Sequence, residues 1–130
     1  MSGGVSQNAE RPVLQPGPDH PITVTPARSR VVVKAGDQVI AESTSALTLQ
    51  ESTYPPAYYI PAADITAELT GPTSTTSYCP YKGDCSYFTV ATQDGEIADV
   101  AWSYQRPYQA VAEIAGYLAF YPNKVSITVD

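Results

Sequence analysis

The sequence predicts a mainly β protein, a small single-domain β-sandwich or open barrel with one C-terminal α-helix and a final strand. Three observations carry that reading. From residue 21 onward, short runs rich in Val, Ile, Thr and Tyr alternate with turn residues at the spacing of small all-β domains. One stretch alone, residues 107–122, repeats its apolar residues at intervals of three and four. Apolar types make up 43% of the 130 residues, enough for one core in a chain of this length.

Taken in order, residues 1–19 are rich in Gly, Pro, Ser and Gln, and Pro12, Pro16 and Pro18 oppose regular structure. They are expected to form a mobile tail, with the domain spanning residues 20–130. Residues 22–25 and 30–34 read as strands, and the turn at residues 35–38 returns the chain through residues 39–41 as a hairpin. Leu47 and Leu49 alternate with Thr48 and Gln50, so a period of two turns Glu51 toward the face of the leucines.

In residues 54–61, Pro55, Pro56 and Pro61 remove backbone donors, which excludes a central strand but allows a stiff extended edge bearing Tyr54, Tyr58 and Tyr59. A short turn and a strand are expected over residues 64–69, punctuated by Gly71 and Pro72. Residues 75–78 and 85–91 flank the loop Cys79-Pro80-Tyr81-Lys82-Gly83-Asp84, predicting a hairpin with Lys82 near its tip. After a turn at Asp94 and Gly95, residues 97–104 continue the meander, with Trp102 and Tyr104 on the face of Ala98 and Val100. The helix follows: Pro107 suits a first helical position, Val111, Ile114, Leu118 and Tyr121 repeat along one face, and Pro122 ends it. Val125, Ile127 and Val129 alternate in the last strand.

Charge narrows the function. The formal net charge is −6 with only seven Lys and Arg, which disfavours nucleic acid, since phosphate neutralisation needs a dense basic surface. No apolar run approaches the roughly 20 residues of a membrane span, and no secretion signal opens the chain, so no membrane partner and a cytoplasmic location are expected. Two Cys and one His fall short of a structural zinc set; neither a metal nor another cofactor is expected. In a reducing compartment the two cysteines are expected as free thiols.

The candidate chemistry gathers around one loop. Cys79 and Lys82 stand three residues apart, so an ammonium beside the sulfur would raise the thiolate fraction. The ordinary alternative is a small, inert, buried thiol and a solvated lysine. Cys79 and Cys85 flank the same loop and are placed to oppose one another across the hairpin. Glu51 is the candidate proton acceptor, or else pairs with Lys or Arg or accepts hydrogen bonds from tyrosine hydroxyls. His20, at the junction of tail and domain, reads as a surface residue. Ten Tyr against two Phe give the chain an aromatic stock with polar tips, able to wall a pocket and orient a ligand.

The chain as a whole resembles the bacterial domain-of-unknown-function family 427. The blocks that carry the likeness are His20-Pro21-Ile22, Tyr54-Pro55-Pro56 through Tyr59-Ile60-Pro61, Cys79-Pro80-Tyr81-Lys82-Gly83, Ala101-Trp102-Ser103-Tyr104 and Ala119-Phe120-Tyr121-Pro122. The resemblance implies a compact β structure with a C-terminal helix, in a stand-alone protein without an established role. It also carries a nucleotidyltransferase label, yet no Asp-x-Asp or Asp-x-Glu pair follows a Gly-Ser turn here to hold the metal ions of that chemistry. Cys85 departs from the family, whose members often carry Ala at that place.

These readings converge on a pocket for an unknown small, anionic molecule, lined by Glu51, Tyr59, Lys82, Tyr87, Trp102 and Tyr104 and edged by Cys79, with Cys79, Lys82 and Glu51 as candidate catalytic residues. The alternative is a non-catalytic module in which the tyrosine edge at residues 54–61 docks a protein or a second copy as a homodimer. Nucleotidyl transfer is the third and least favoured reading.

Overall fold

A computed structural model of the chain describes residues 11–130. The β-branched runs become strands. β1 (Ile22–Pro26), β2 (Val31–Ala35), β3 (Gln38–Ser43), β4 (Leu47–Glu51) and β5 (Ala57–Tyr59) form the first half. β6 (Glu68–Thr70), β7 (Thr76–Cys79), β8 (Gly83–Thr92), β9 (Gly95–Ser103), β10 (Leu118–Phe120) and β11 (Ser126–Val129) form the second. Every pairing among them is antiparallel. No described helix is long and apolar enough to cross a membrane.

The strands group in three sheets, ordered β1-β4-β5, β11-β2-β3 and β10-β9-β8-β6. The ten-residue β8 is long enough to give one edge to two partners, β6 near its end and β7 near its start. The first and third sheets meet where Ile60 and Leu118 exchange backbone hydrogen bonds at 2.7 and 2.8 Å. This joint sets β5 beside β10 and thereby carries the aromatic residues of both sheets to one side. The strands do not close into a barrel.

Two clusters fill the interior. Val31, Val33, Ile40, Val90 and Val100 are fully buried in an aliphatic cluster beneath β2 and β3. Leu49, Tyr59, Cys85, Tyr104, Val111 and Ile114 form the other, with Tyr87 and Trp102 half-buried against it.

The C-terminal α-helix expected over residues 107–122 does not form. A 3-10 helix occupies Gln109–Ile114, broken by non-helical angles at Val111 (φ −128°, ψ 33°), and Gly116 then takes φ +77°. That left-handed angle suits glycine and turns the chain into β10, where Leu118, Ala119 and Phe120 pair with Ser103, Trp102 and Ala101. Helices this short are marginal alone, and Gly116 inside one costs about 1 kcal/mol relative to Ala. The open edge of β9 offers a full ladder instead. The interval of three survives in Val111 and Ile114, both buried by the 3-10 turn, while Leu118 is buried in strand β10 and Tyr121, just past it, is half-buried.

Of the tail expected over residues 1–19, the first ten lie outside the described residues. Residues 11–19 run along the outside of the β7–β8 hairpin. There the Arg11 guanidinium bonds Asp84 and lies 3.8 Å over the Tyr78 ring. The Leu14 N–H donates to the Pro80 carbonyl at 3.0 Å, and the Tyr78 hydroxyl donates to the Pro12 carbonyl at 2.7 Å.

Candidate functional site

Strand alternation aims the first groups. Leu47, Leu49 and Glu51 share one face of β4, so the carboxylate enters the aromatic side of the molecule with its side chain only 16% exposed. On the neighbouring strands, Tyr87 of β8 lies opposite Trp102 of β9. Tyr59 arrives from β5, and Tyr121 directly follows β10.

Lys82 closes the arrangement. Its N–H donates to the Cys79 carbonyl at 3.1 Å, making a tight turn, and its own carbonyl accepts from the Tyr108 N–H at 3.0 Å. Gly83 follows at φ +108°, an angle that glycine adopts without strain, and its backbone lies against residues 106–108. The lysine thus stands near the hairpin tip as its sequence predicts, yet the tip folds inward and the side chain is 9% exposed.

The Lys82 ammonium donates to Glu51 Oε1 at 2.6 Å, and His20 Nε2 lies 2.7 Å from Glu51 Oε2. His20 stacks on Tyr81 at 4.2 Å and meets Tyr54 edge-on at 6.1 Å. Burial, the largest single influence on Glu51, pushes its carboxyl up; the hydrogen bonds and charges of Lys82 and His20 together outweigh it and leave the carboxyl below its ordinary value. Glu51 is therefore an ionised bridge between two basic side chains.

Of these groups, Glu51, Lys82 and Tyr54 border a cavity of about 520 Å³. Glu51, Tyr59, Lys82, Tyr87, Trp102 and Tyr104 all line it, and Tyr121 and Cys85 complete its inner wall. Trp102 Nε1 donates to the Tyr59 hydroxyl at 3.0 Å, locking two wall rings at 90°, and Trp102 packs on Tyr121 at 4.5 Å. Burial holds the Tyr59 and Tyr104 phenols protonated well above their ordinary value. On the outer rim Tyr54, Pro55 and Pro56 face the opening.

The cysteines fall differently from expectation. Cys79 pairs in register with Gly83 and Cys85 with Ser77, so the two thiols do not oppose one another across the hairpin, and both are free. The Lys82 ammonium is bonded to Glu51 rather than to sulfur. Cys79 is half-buried outside the cavity lining, whereas Cys85, 2% exposed, lies in it. Burial pushes the Cys85 thiol up against the opposing hydrogen bonds of Ser77, Tyr104 and Tyr87, leaving it a protonated wall group.

Sequence reasoning placed His20 on the surface and missed its bond to Glu51; its side chain is 23% exposed. The pairing responsible sets Ile22 opposite Glu51 in the β1–β4 ladder, bringing the residue two places earlier to the carboxylate. Nothing local in the sequence announces that ladder. Among the described residues no group of three His, Cys, Asp or Glu side chains gathers to hold a metal ion.

A family model described as a domain of unknown function, DUF427, and labelled NTP_transf_9, matches residues 23–130. The curated proteins include no match to the chain.

Proposed function

We propose that this chain, which belongs to the DUF427 family, binds a flat, largely apolar small molecule in the tyrosine-walled cavity, one oxygen of which accepts a hydrogen bond from Lys82. The observation that carries the reading is convergence. Side chains from β4, β5, β8, β9 and the hairpin tip meet around one hollow, and its volume lies within the range of small-molecule sites.

The lining selects the ligand's character. Rings of Tyr59, Tyr87, Trp102 and Tyr121 offer faces and edges to a planar body. An ammonium carries three donors, and among the described residues Lys82 gives one, to Glu51. The remaining donors suit an oxygen acceptor. Because Glu51 balances the lysine's charge, a single carbonyl or carboxyl oxygen fits better than a phosphate with its dense charge.

The alternative of a docking edge at residues 54–61 is less well supported: Tyr54 is 56% exposed, but Tyr58 is half-buried and Tyr59 is buried. Tyr54 with the exposed Pro55 and Pro56 makes only a small patch, whereas the same segment contributes most of its side chains to the cavity.

The one tryptophan of the chain lies in the cavity wall, so its fluorescence reports occupancy without a label. Titration with ring-bearing fragments that carry one carbonyl or carboxyl oxygen is expected to change Trp102 emission saturably. Lys82→Met should weaken the hits about tenfold, roughly 1.4 kcal/mol. A fragment set that leaves the emission unchanged to millimolar concentration removes the reading.

A further inference from the structure

The string of three hydrogen-bonded groups at the cavity floor says more about the ligand than its walls do. Glu51 is held from one side by Lys82 at 2.6 Å and from the other by His20 at 2.7 Å. Only Lys82 and Glu51 line the cavity; His20 lies behind the carboxylate. With a neutral imidazole the ion pair sums to zero. Placing an anion on the free donors of Lys82 would leave two negative groups sharing one ammonium, and a proton on His20 restores the balance.

We propose that the cavity binds the carboxylate of a flat organic acid together with one proton from solvent, the proton residing on His20. This rests on the cavity reading above and names its ligand class. Charges then alternate along a hydrogen-bonded string of imidazolium, carboxylate, ammonium and ligand carboxylate, the arrangement that gains most from a partly buried setting.

The surroundings of His20 suit the charged ring. Glu51 faces it from β4, Tyr54 from the loop after β4, and Tyr81 from the hairpin tip, with Lys82 one hydrogen bond beyond Glu51. The Tyr81 face, stacked at 4.2 Å, attracts a cation, and the only other cation in the string is screened by the intervening carboxylate. Imidazole is the side chain that takes up a proton near neutral pH. His20 is thus a positioning residue, acting on the ligand through Glu51 and Lys82. By linkage, a ligand that recruits a proton binds more tightly as pH falls, up to tenfold per pH unit for one whole proton.

The test compares 2-naphthoate with 2-naphthamide, equal in shape and different in charge, on the full chain. Calorimetry at pH 7.5 in phosphate and in Tris, which differ in ionisation enthalpy, counts the protons taken up. Naphthoate is expected to take up half a proton or more and to lose about threefold or more in affinity from pH 6.5 to 7.5. Naphthamide should take up none and show a flat profile, and His20→Gln should abolish the uptake with naphthoate while leaving naphthamide affinity within about twofold.

The chain has one histidine, so its ring signal gives a second readout that needs no variant. At fixed pH, naphthoate should move that signal toward the imidazolium position, and naphthamide should leave it in place. Binding of naphthoate without proton uptake, uptake that persists in His20→Gln, or binding of naphthamide alone each overturns the proton-coupled acid and leaves the cavity intact. If neither probe alters Trp102 emission at millimolar concentration, the cavity reading itself fails.

Discussion

The two interior clusters share strands β8, β9 and β10 and are built to opposite ends. Beneath β2 and β3, Val31, Val33, Ile40, Val90 and Val100 meet with no polar tips and no exposure. On the side of β4, β5 and the β7–β8 hairpin, the buried residues include Tyr59, Tyr104 and Cys85, and the packing stops short around a cavity of about 520 Å³. Close packing of small branched chains leaves no void larger than a methyl group, whereas large rings locked by hydrogen bonds can stand around one. One cluster serves stability, the other keeps a hollow open, and the Ile60–Leu118 joint lets both share a single sheet framework.

The largest expected effect tests that division. Ile40, fully buried in the aliphatic cluster, should lose about 3 kcal/mol of stability on Ile40→Ala through transfer and cavity terms, with ligand affinity unchanged. Tyr87, half-buried with one side already facing the hollow, should lose less than about 1.5 kcal/mol on Tyr87→Ala while binding of any cavity ligand falls at least tenfold. Urea denaturation measures the first pair of numbers and Trp102 fluorescence titration the second. Equal losses in stability for the two variants would dissolve the contrast.

How much of this was legible depended on the range of the interactions. The hairpin of β2 and β3 could be read because β-branched alternation and a Gly-containing turn are local signals. Period two turned Glu51 inward for the same reason. The residues expected to line a pocket, Glu51, Tyr59, Lys82, Tyr87, Trp102 and Tyr104, were named from their types and faces, but the contact between Glu51 and His20 needs the β1–β4 ladder. That pairing joins residues about thirty apart and has no local signature. Residues 107–122 misled because intervals of three and four describe both a 3-10 turn followed by a doubly covered strand and a helix, and the vacant edge of β9 decided between them. Cys79 was singled out over Cys85 because it neighbours Lys82 in sequence, whereas register carries Cys85 into the cavity wall.

The next effect sharpens the polar side of the comparison. Removing the ammonium with Lys82→Met leaves the Glu51 carboxylate, 16% exposed, facing a hydrocarbon. A loss of about 2 kcal/mol is expected, below the range for fully buried pairs because His20 still donates or shares a proton with the other oxygen. Adding Glu51→Gln removes the stranded charge and should recover at least half of that loss, a coupling that a double-mutant cycle reads directly. The sign with pH follows from the lowered Glu51 carboxyl. Its contribution is complete above the ordinary carboxylate value of 4.5 and disappears as pH falls through the lower folded value, so acid unfolding of Glu51→Gln should be the shallower curve. Identical acid curves for the two proteins would remove Glu51 from the list of stabilising charges.

At the alkaline end the two clusters separate again, by a smaller amount. The aliphatic cluster contains no fully buried phenol, while Tyr59, 1% exposed, is held protonated above its ordinary value by burial. Once pH passes 10, the unfolded chain releases the Tyr59 proton and the folded chain retains it, so folding binds a proton and stability declines with rising pH. At pH 11 the decline from this one residue amounts to about 1.4 kcal/mol relative to pH 9. Tyr59→Phe keeps the ring, gives up the hydroxyl that accepts from Trp102, and begins about 1 kcal/mol less stable at neutral pH. Between pH 9 and 11 it should then lose less stability than the parent, so that the two denaturation midpoints converge. Parallel decline of both proteins across that interval would place the alkaline sensitivity outside Tyr59.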